Sequence, residues 1–342
     1  MRTVVLALLV LSLVAHVQPA RAQPAPDTSY HIYTGRGEPA ALRDITDAMA
    51  SVDVVFIGEV HNDPTAHALQ RDLLTAAHRQ HGHSDSTLGR PVTLSLEMFE
   101  RDVQPVLDEY LAGLITEEHF RASSRPWSNY AEAYRPLVEY AKANGLAVLA
   151  ANAPRRYVNR VSRLGVAALD RLPGTAMQWL PPLPPPQPSE AYRAKWNALM
   201  RSAMAPHGAD TTSSPHGTPP DSSSGEADAA ASHGARHGAM MQNMLRAQAL
   251  WDATMAHTIA RHLMNTPDAL VLHVTGGFHV SEGTGTPEQL AHYRPSARPL
   301  IVSIRPVDDV TAFDPDEHAE MGDFVILTDA PRVPEGTLPS GR

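Results

Sequence analysis

The chain has 342 residues, 43% of them hydrophobic, enough to bury one large core or two small ones. Its formal charge of −9 with neutral histidine excludes a surface built overall for a polyanion such as nucleic acid. The absence of cysteine excludes disulfides and a lipidated cysteine anchor, and leaves any metal to nitrogen, oxygen or methionine ligands.

Residues 1–22 read as a signal peptide. Arg2 precedes an apolar run over 4–15, and Ala20-Arg21-Ala22 is a small-x-small cleavage site, which predicts a mature start at Gln23. That run is too short to span a bilayer, and no later run reaches spanning length. The expectation is an exported chain, periplasmic or secreted, with no membrane span in its mature part and no lipoprotein anchor.

An edge strand is predicted over 30–33 and an amphipathic helix over 41–50. Residues 54–57 (VVFI) form a short continuous apolar run, the pattern of a strand buried on both faces. Gly58 ends it, Glu59 and His61 follow, and Asn62-Asp63-Pro64 supplies cap residues and a first-turn proline for a helix over 64–79. A second buried strand over 92–96 ends at Glu97, and a helix is expected over 103–112. Residues 130–144 read as one helix with Gly145 as its C-cap. A third strand over 146–150 ends at Asn152, with Arg155, Arg156 and Tyr157 opening the next element.

Residues 172–188 are proline-rich and favour extended geometry. A helix is expected over 191–204. The stretch 205–239 is low in complexity and is predicted disordered. It carries His207, His216, His233 and His237, a tract that either collects Zn, Cu or haem weakly or serves as a spacer. A long helix is predicted over 240–264. A fourth strand over 269–274 leads to Gly276-Gly277-Phe278-His279, and strands over 300–304 and 324–327 complete the chain.

Strands separated by helices predict an α/β fold with a mainly parallel central sheet flanked by helices. Residues 113–145 and 172–265 interrupt the alternation and are expected to form a helical cap over the carboxyl edge, within a single domain over 23–342. Open α/β sheets bind ligands at that edge. Four strand ends present Glu59 with His61, Glu97, Asn152, and His279. The long helix adds Gln248 and Asp252, which stand four residues apart and share a face.

Two chemistries fit this set. A divalent transition metal held by His61 and His279 would let Glu59 or Glu97 act as general base on its water. Alternatively the pocket holds a cofactor such as haem, whose iron takes a Tyr or His ligand and whose propionates pair with Arg155 and Arg156. The Glu-x-His spacing does not separate these readings.

Six stretches together resemble the ChaN family of haem-binding, iron-regulated proteins, within the Tiki/TraB and erythromycin-esterase-like group. They are FIGEVHND (56–63), SLEMFERDVQ (95–104), YRPLVEYA (134–141), AANAPR (150–155), AQALWDATMA (247–256) and TGGFHVSEGTGTPEQL (275–290). The resemblance implies an α/β core with a helical subdomain, cofacial haems at a homodimer interface, a Tyr as iron ligand, and service to an outer-membrane haem uptake system. Candidates for that Tyr are Tyr130, Tyr134 and Tyr157, with Glu97, Asn152, Gln248 and Asp252 lining the pocket. The leading expectation is therefore a non-enzymatic, exported haem binder for haem or iron acquisition or storage. The wider group also contains hydrolases, so the alternative is a metal-dependent esterase or peptidase using His61 and His279 as ligands and Glu59 as base.

Overall fold

The computed structural model describes residues 29–82, 89–204 and 225–329. The expected signal peptide and most of the low-complexity stretch, with His207 and His216, lie outside these residues, as do the side chains of His233 and His237.

Eight strands form one sheet: β1 (Tyr30–Thr34), β2 (Pro39–Ala40), β3 (Val54–Glu59), β4 (Val92–Glu100), β5 (Ala147–Asn152), β6 (Leu270–Gly276), β7 (Pro299–Pro306) and β8 (Phe324–Thr328). Their order is β2-β1-β8-β7-β3-β6-β4-β5. Only β1 runs antiparallel to its neighbours; the six from β8 to β5 are parallel. This is the α/β architecture that the apolar runs predict. Every residue of β3 and β6 is buried, because helices cover both faces and leave no solvated side to alternate toward.

Side chains alternate across β3 into two cores. Val55 and Ile57 pack with Leu69 and Leu73 of α2 (Pro64–His81) and Leu137 of α6 (Arg135–Ala143). Val54 and Phe56 face the other way, against Ile259 and Leu263 of α10 (Gly225–Asn265) and Leu290 of α11 (Thr286–Tyr293). Burying Phe56 in this layer is worth about 3–5 kcal/mol relative to Ala.

Two helices depart from the expected boundaries. The segment predicted as one helix over 130–144 is two, α5 (Tyr130–Ala133) and α6, joined at Tyr134. Pro136 is the cause: it cannot sit in a helix interior but is accommodated in the first turn of α6. The long helix α10 starts at Gly225, earlier than predicted, through an alanine-rich stretch with high helix propensity.

The remaining helices are α1 (Leu42–Ala48), α3 (Gln104–Leu111), α4 (Glu117–Ser124), α7 (Arg155–Leu164), α8 (Gly174–Met177), α9 (Glu190–Met204) and α12 (Pro315–His318). Among the described residues no helix is long and apolar enough to cross a membrane.

The outer edge of β5 is closed by a side chain. The Gln104 amide donates to the Val148 carbonyl at 2.8 Å and accepts from the Ala150 amide at 2.7 Å, the two bonds a neighbouring strand would make.

Candidate functional site

The site is built where β3, β6 and β4 end side by side. Glu59 pairs with Gly276 as the last register position of β3 and β6, so the residues after each strand emerge together. Gly58 is small for a reason: a Cβ there would lie 2.6 Å from Val280 Cγ2 and 3.1 Å from Gly277 Cα. Asp63 caps α2 by accepting from the Ala66 amide at 3.0 Å, and its other oxygen accepts from Thr328 Oγ1 at 2.7 Å. That cap fixes the turn carrying His61.

Glu59 is buried and saturated with donors. His61 Nδ1 lies 2.9 Å and the Tyr134 hydroxyl 2.5 Å from Oε1. Gln70 Nε2 donates to Oε2, and His67 Nε2 is 3.3 Å from the same oxygen. Burial alone raises a carboxyl, but the bonds and charges of His61 and His67 outweigh it and hold Glu59 at about 2. In return, and against its own burial, Glu59 raises the His61 imidazole. The His61 ring packs edge-on to Trp127 with centroids 4.8 Å apart.

A second carboxylate–imidazole pair stands across the gap. His279 Nδ1 is 2.8 Å from Asp252 Oδ1. Thr286 Oγ1 donates to the same oxygen at 2.9 Å, and the Tyr192 hydroxyl donates to Oδ2 at 2.5 Å. Burial pulls the imidazole down, but Asp252 and Glu97 prevail and lift His279 to about 9. Its Nε2 is 3.2 Å from Gln248 Nε2 and 3.7 Å from Glu97 Oε1.

Glu97 sits between the pairs. Pairing of β4 with β5 is interrupted between Leu96 and Glu100, and Glu97 turns to β6 instead. Its Oε2 accepts from Thr275 Oγ1 at 2.7 Å and from the Gly276 amide at 2.8 Å. Burial raises this carboxyl, yet the charges of His279 and His61 bring it below its ordinary value. Each histidine thus has Nδ1 fixed by its own carboxylate, the orientation required of a general acid or base.

The structure therefore brings together Glu59, His61, Glu97, Gln248, Asp252 and His279. Asn152 ends β5 opposite Glu100, buried, with Oδ1 accepting from the Ala153 amide, and makes no side-chain hydrogen bond to this group among the described residues. The three tyrosines separate. Tyr134 is fully buried with its hydroxyl on Glu59, and Tyr130 is buried against Phe99 and Phe120. Burial raises both phenols, and Glu59 raises Tyr134 further.

Tyr157 is half-buried on α7, at the rim of a third apolar cluster that includes Val158, Leu180, Leu250 and the half-buried Leu183 and Trp251. The Arg156 guanidinium lies 4.4 Å over its ring and donates to its hydroxyl at 3.3 Å. Arg156 also pairs with Asp102 at 2.6 Å, and both Arg155 and Arg156 are exposed. Trp251 links this rim to the strand ends, its ring centroid 6.4 Å from that of His279.

Several participants escape the strand-end argument. Tyr192 and Lys195 come from α9; Lys195 donates to the Ser281 carbonyl at 2.7 Å beside the Phe278 ring. His67 and Gln70 lie three residues apart on the face of α2 that buries Ala66, Leu69 and Leu73, and polar residues on an apolar stripe were their available signal. Among the described residues no group of three or more His, Asp or Glu side chains has an arrangement that could hold a metal ion. Both Nδ1 atoms face carboxylates, and Glu97 Oε2 is held by Thr275 and Gly276.

The apolar rim with a phenol and two arginines does fit a haem. It sets a half-buried phenol near exposed guanidiniums and apolar side chains, groups of the kind that a haem requires.

Residues 45–290 match the family model described as haem-binding uptake, Tiki superfamily, ChaN. Among solved structures, ChaN of Campylobacter jejuni, described as binding haem cofacially, superposes with a TM-score of 0.58 at 13% identity, over 88% of this chain and 97% of that one. This is a likeness of fold. An erythromycin esterase variant, EreC in its open conformation, gives a TM-score of 0.42 at 10% identity over 81% and 77% of the two chains. The chloroplastic protein RETICULATA-RELATED 5 of Arabidopsis thaliana is 23% identical over 283 residues, covering 79% of this chain and 34% of that protein. The chain thus spans about a third of that relative's length.

Proposed function

Because this chain belongs to the ChaN family of haem-binding uptake proteins in the Tiki superfamily, we propose that it is an exported haem carrier acting in haem or iron acquisition, with Tyr157 as the iron ligand. The observation that carries this reading is the fate of the three tyrosines. Tyr130 and Tyr134 are sealed in the core, whereas Tyr157 is half-buried beside exposed arginines and an apolar rim. Arg155 and Arg156 would meet the propionates, and Leu183 and Trp251 would support the porphyrin. Bound haem supplies the iron; the chain's part is to ligate it, pair its charges and shield one face.

Cofacial haem binding, named for the C. jejuni protein, stacks two haems. With one Tyr157 per chain, stacking calls for a homodimer that brings two such rims together. In this reading residues 1–22 direct export to the periplasm or beyond, and residues 23–342 work as one domain. The deciding experiment is an absorption titration of the mature chain with haem. A saturable spectrum with phenolate-type bands, lost in Tyr157→Phe, supports the reading; a wild-type chain that shows no saturable binding overturns it.

A second reading rests on the paired imidazoles. Two histidines oriented by buried carboxylates and facing Glu97 form an acid–base layout suited to hydrolysis. It predicts esterase or peptidase turnover that Glu59→Gln or His279→Gln abolishes while the fold persists.

A further inference from the structure

A groove of about 580 Å³ runs between the C-terminal part of α10 and the β5 edge of the sheet. None of Glu59, His61, Glu97, His279 and Tyr157 lines it. Its lining includes the cations Arg101, Lys142 and Arg261 with His262, and the apolar Leu111, Leu146 and Val148. One carboxylate, Asp108, also lines the groove, and it accepts from Gln104 Nε2 at 2.8 Å.

Two of these cations, Arg101 and Arg261, line the same groove and act on each other electrostatically. Among the described residues, neither Arg101 nor Arg261 has a carboxylate within ion-pair distance or a hydrogen-bond acceptor. Burial and then the charge of Arg261 pull the Arg101 guanidinium below its ordinary value. His257 lies one turn before Arg261 on α10. Burial, then Arg261 and Arg101, press its imidazole down to about 4. Arg101 is half-buried and Arg261 exposed; a half-buried guanidinium beside a like charge is unfavourable, and an oxyanion held by both removes the penalty.

We propose that this groove binds a small organic oxyanion, a carboxylate- or phosphate-headed molecule with a short apolar body. The head lies between Arg101 and Arg261, and the body lies along Leu111, Leu146 and Val148. An added peptide strand is a poor occupant, because Gln104 already takes the Val148 carbonyl and the Ala150 amide.

The test is calorimetric titration of the full chain with hexanoate and with hexyl phosphate, with the His257 ring followed by NMR. At least one probe binds saturably, and the tighter one identifies the head group. Arg101→Gln and Arg261→Gln each weaken binding about tenfold or more, while Arg261→Lys, which keeps the charge and confirms the fold, weakens it less. The bound probe raises the His257 imidazole back toward its ordinary value. The proposal is overturned if neither probe binds saturably, if both Gln variants bind within about twofold of wild type, or if His257 does not respond.

Discussion

Gly276 passes directly beneath the His61 imidazole. A Cβ at this position would lie 3.0 Å from both Cε1 and Nε2 of the ring. The end of β6 is thus shaped by a side chain that follows β3, and the Gly276 amide is left free to reach Glu97.

Gly276→Ala is therefore expected to displace the His61 ring and lengthen its bond to Glu59, at a cost of about 1–2 kcal/mol from overpacking. Chemical denaturation measures the loss. A His61 ring resonance unchanged from wild type would show that the ring had not moved.

Tyr134→Phe and Tyr157→Phe should behave oppositely. Losing the Tyr134 hydroxyl strips one donor from a buried carboxylate and costs about 1–2 kcal/mol of stability, with the haem spectrum retained. Losing the Tyr157 hydroxyl changes stability by about 0.5 kcal/mol or less and removes the phenolate bands. Reversal of this pattern would transfer the ligand role to the core.

Stability should peak near neutral pH. His279, raised to about 9, contributes stability that is complete below its unfolded value and lost as pH rises through about 9. His273 is buried neutral, with Ser95 Oγ 2.9 Å from its Nδ1, and burial presses it down to about 3. Its contribution is complete above the unfolded value and is lost as pH falls from there toward about 3. Glu59 acts in the same direction, its share lost as pH falls from the ordinary carboxyl range through about 2. Melting temperatures from pH 4 to 10 should trace a dome centred at about pH 6.5, the unfolded imidazole value. A monotonic profile would contradict this assignment.

Asp252→Asn tests the alkaline limb. Without the carboxylate, His279 keeps its burial but loses its leading opposite charge, so its pKa falls and the loss of stability shifts to lower pH. Breaking this buried pair costs about 3 kcal/mol or more. NMR titration of His279 gives the pKa directly, and a value still near 9 would mean that Glu97 alone sustains it.

The parallel sheet was legible because β3, β4 and β6 are apolar runs that only a doubly covered strand tolerates, each followed by a polar residue that must emerge at the same edge. Three of the six motifs carried the family for the same reason, since they lie at those strand ends. What the sequence concealed were partners chosen by tertiary packing. Tyr134 reads as a core aromatic at helical spacing, and nothing local indicates that the break before α6 aims its hydroxyl at a glutamate 75 residues earlier. Tyr192 lies beyond the proline-rich stretch, so its approach to Asp252 depends on where α9 docks. The Arg101–Arg261 pairing was equally hidden, because it joins the end of β4 to the far end of α10 and repulsion leaves no pattern in sequence.

The Gln104 amide also bears on how copies of this chain can meet. A parallel sheet with a bare outer strand is a template for another molecule's backbone, the usual beginning of irreversible aggregation. Here one end of the sheet is β2, two residues long with a proline, and the other is occupied by an amide that mimics the missing strand. Neither end offers a ladder to extend. Among the described residues, association between copies is therefore left to side-chain surfaces, and two copies can meet there without polymerising through the sheet.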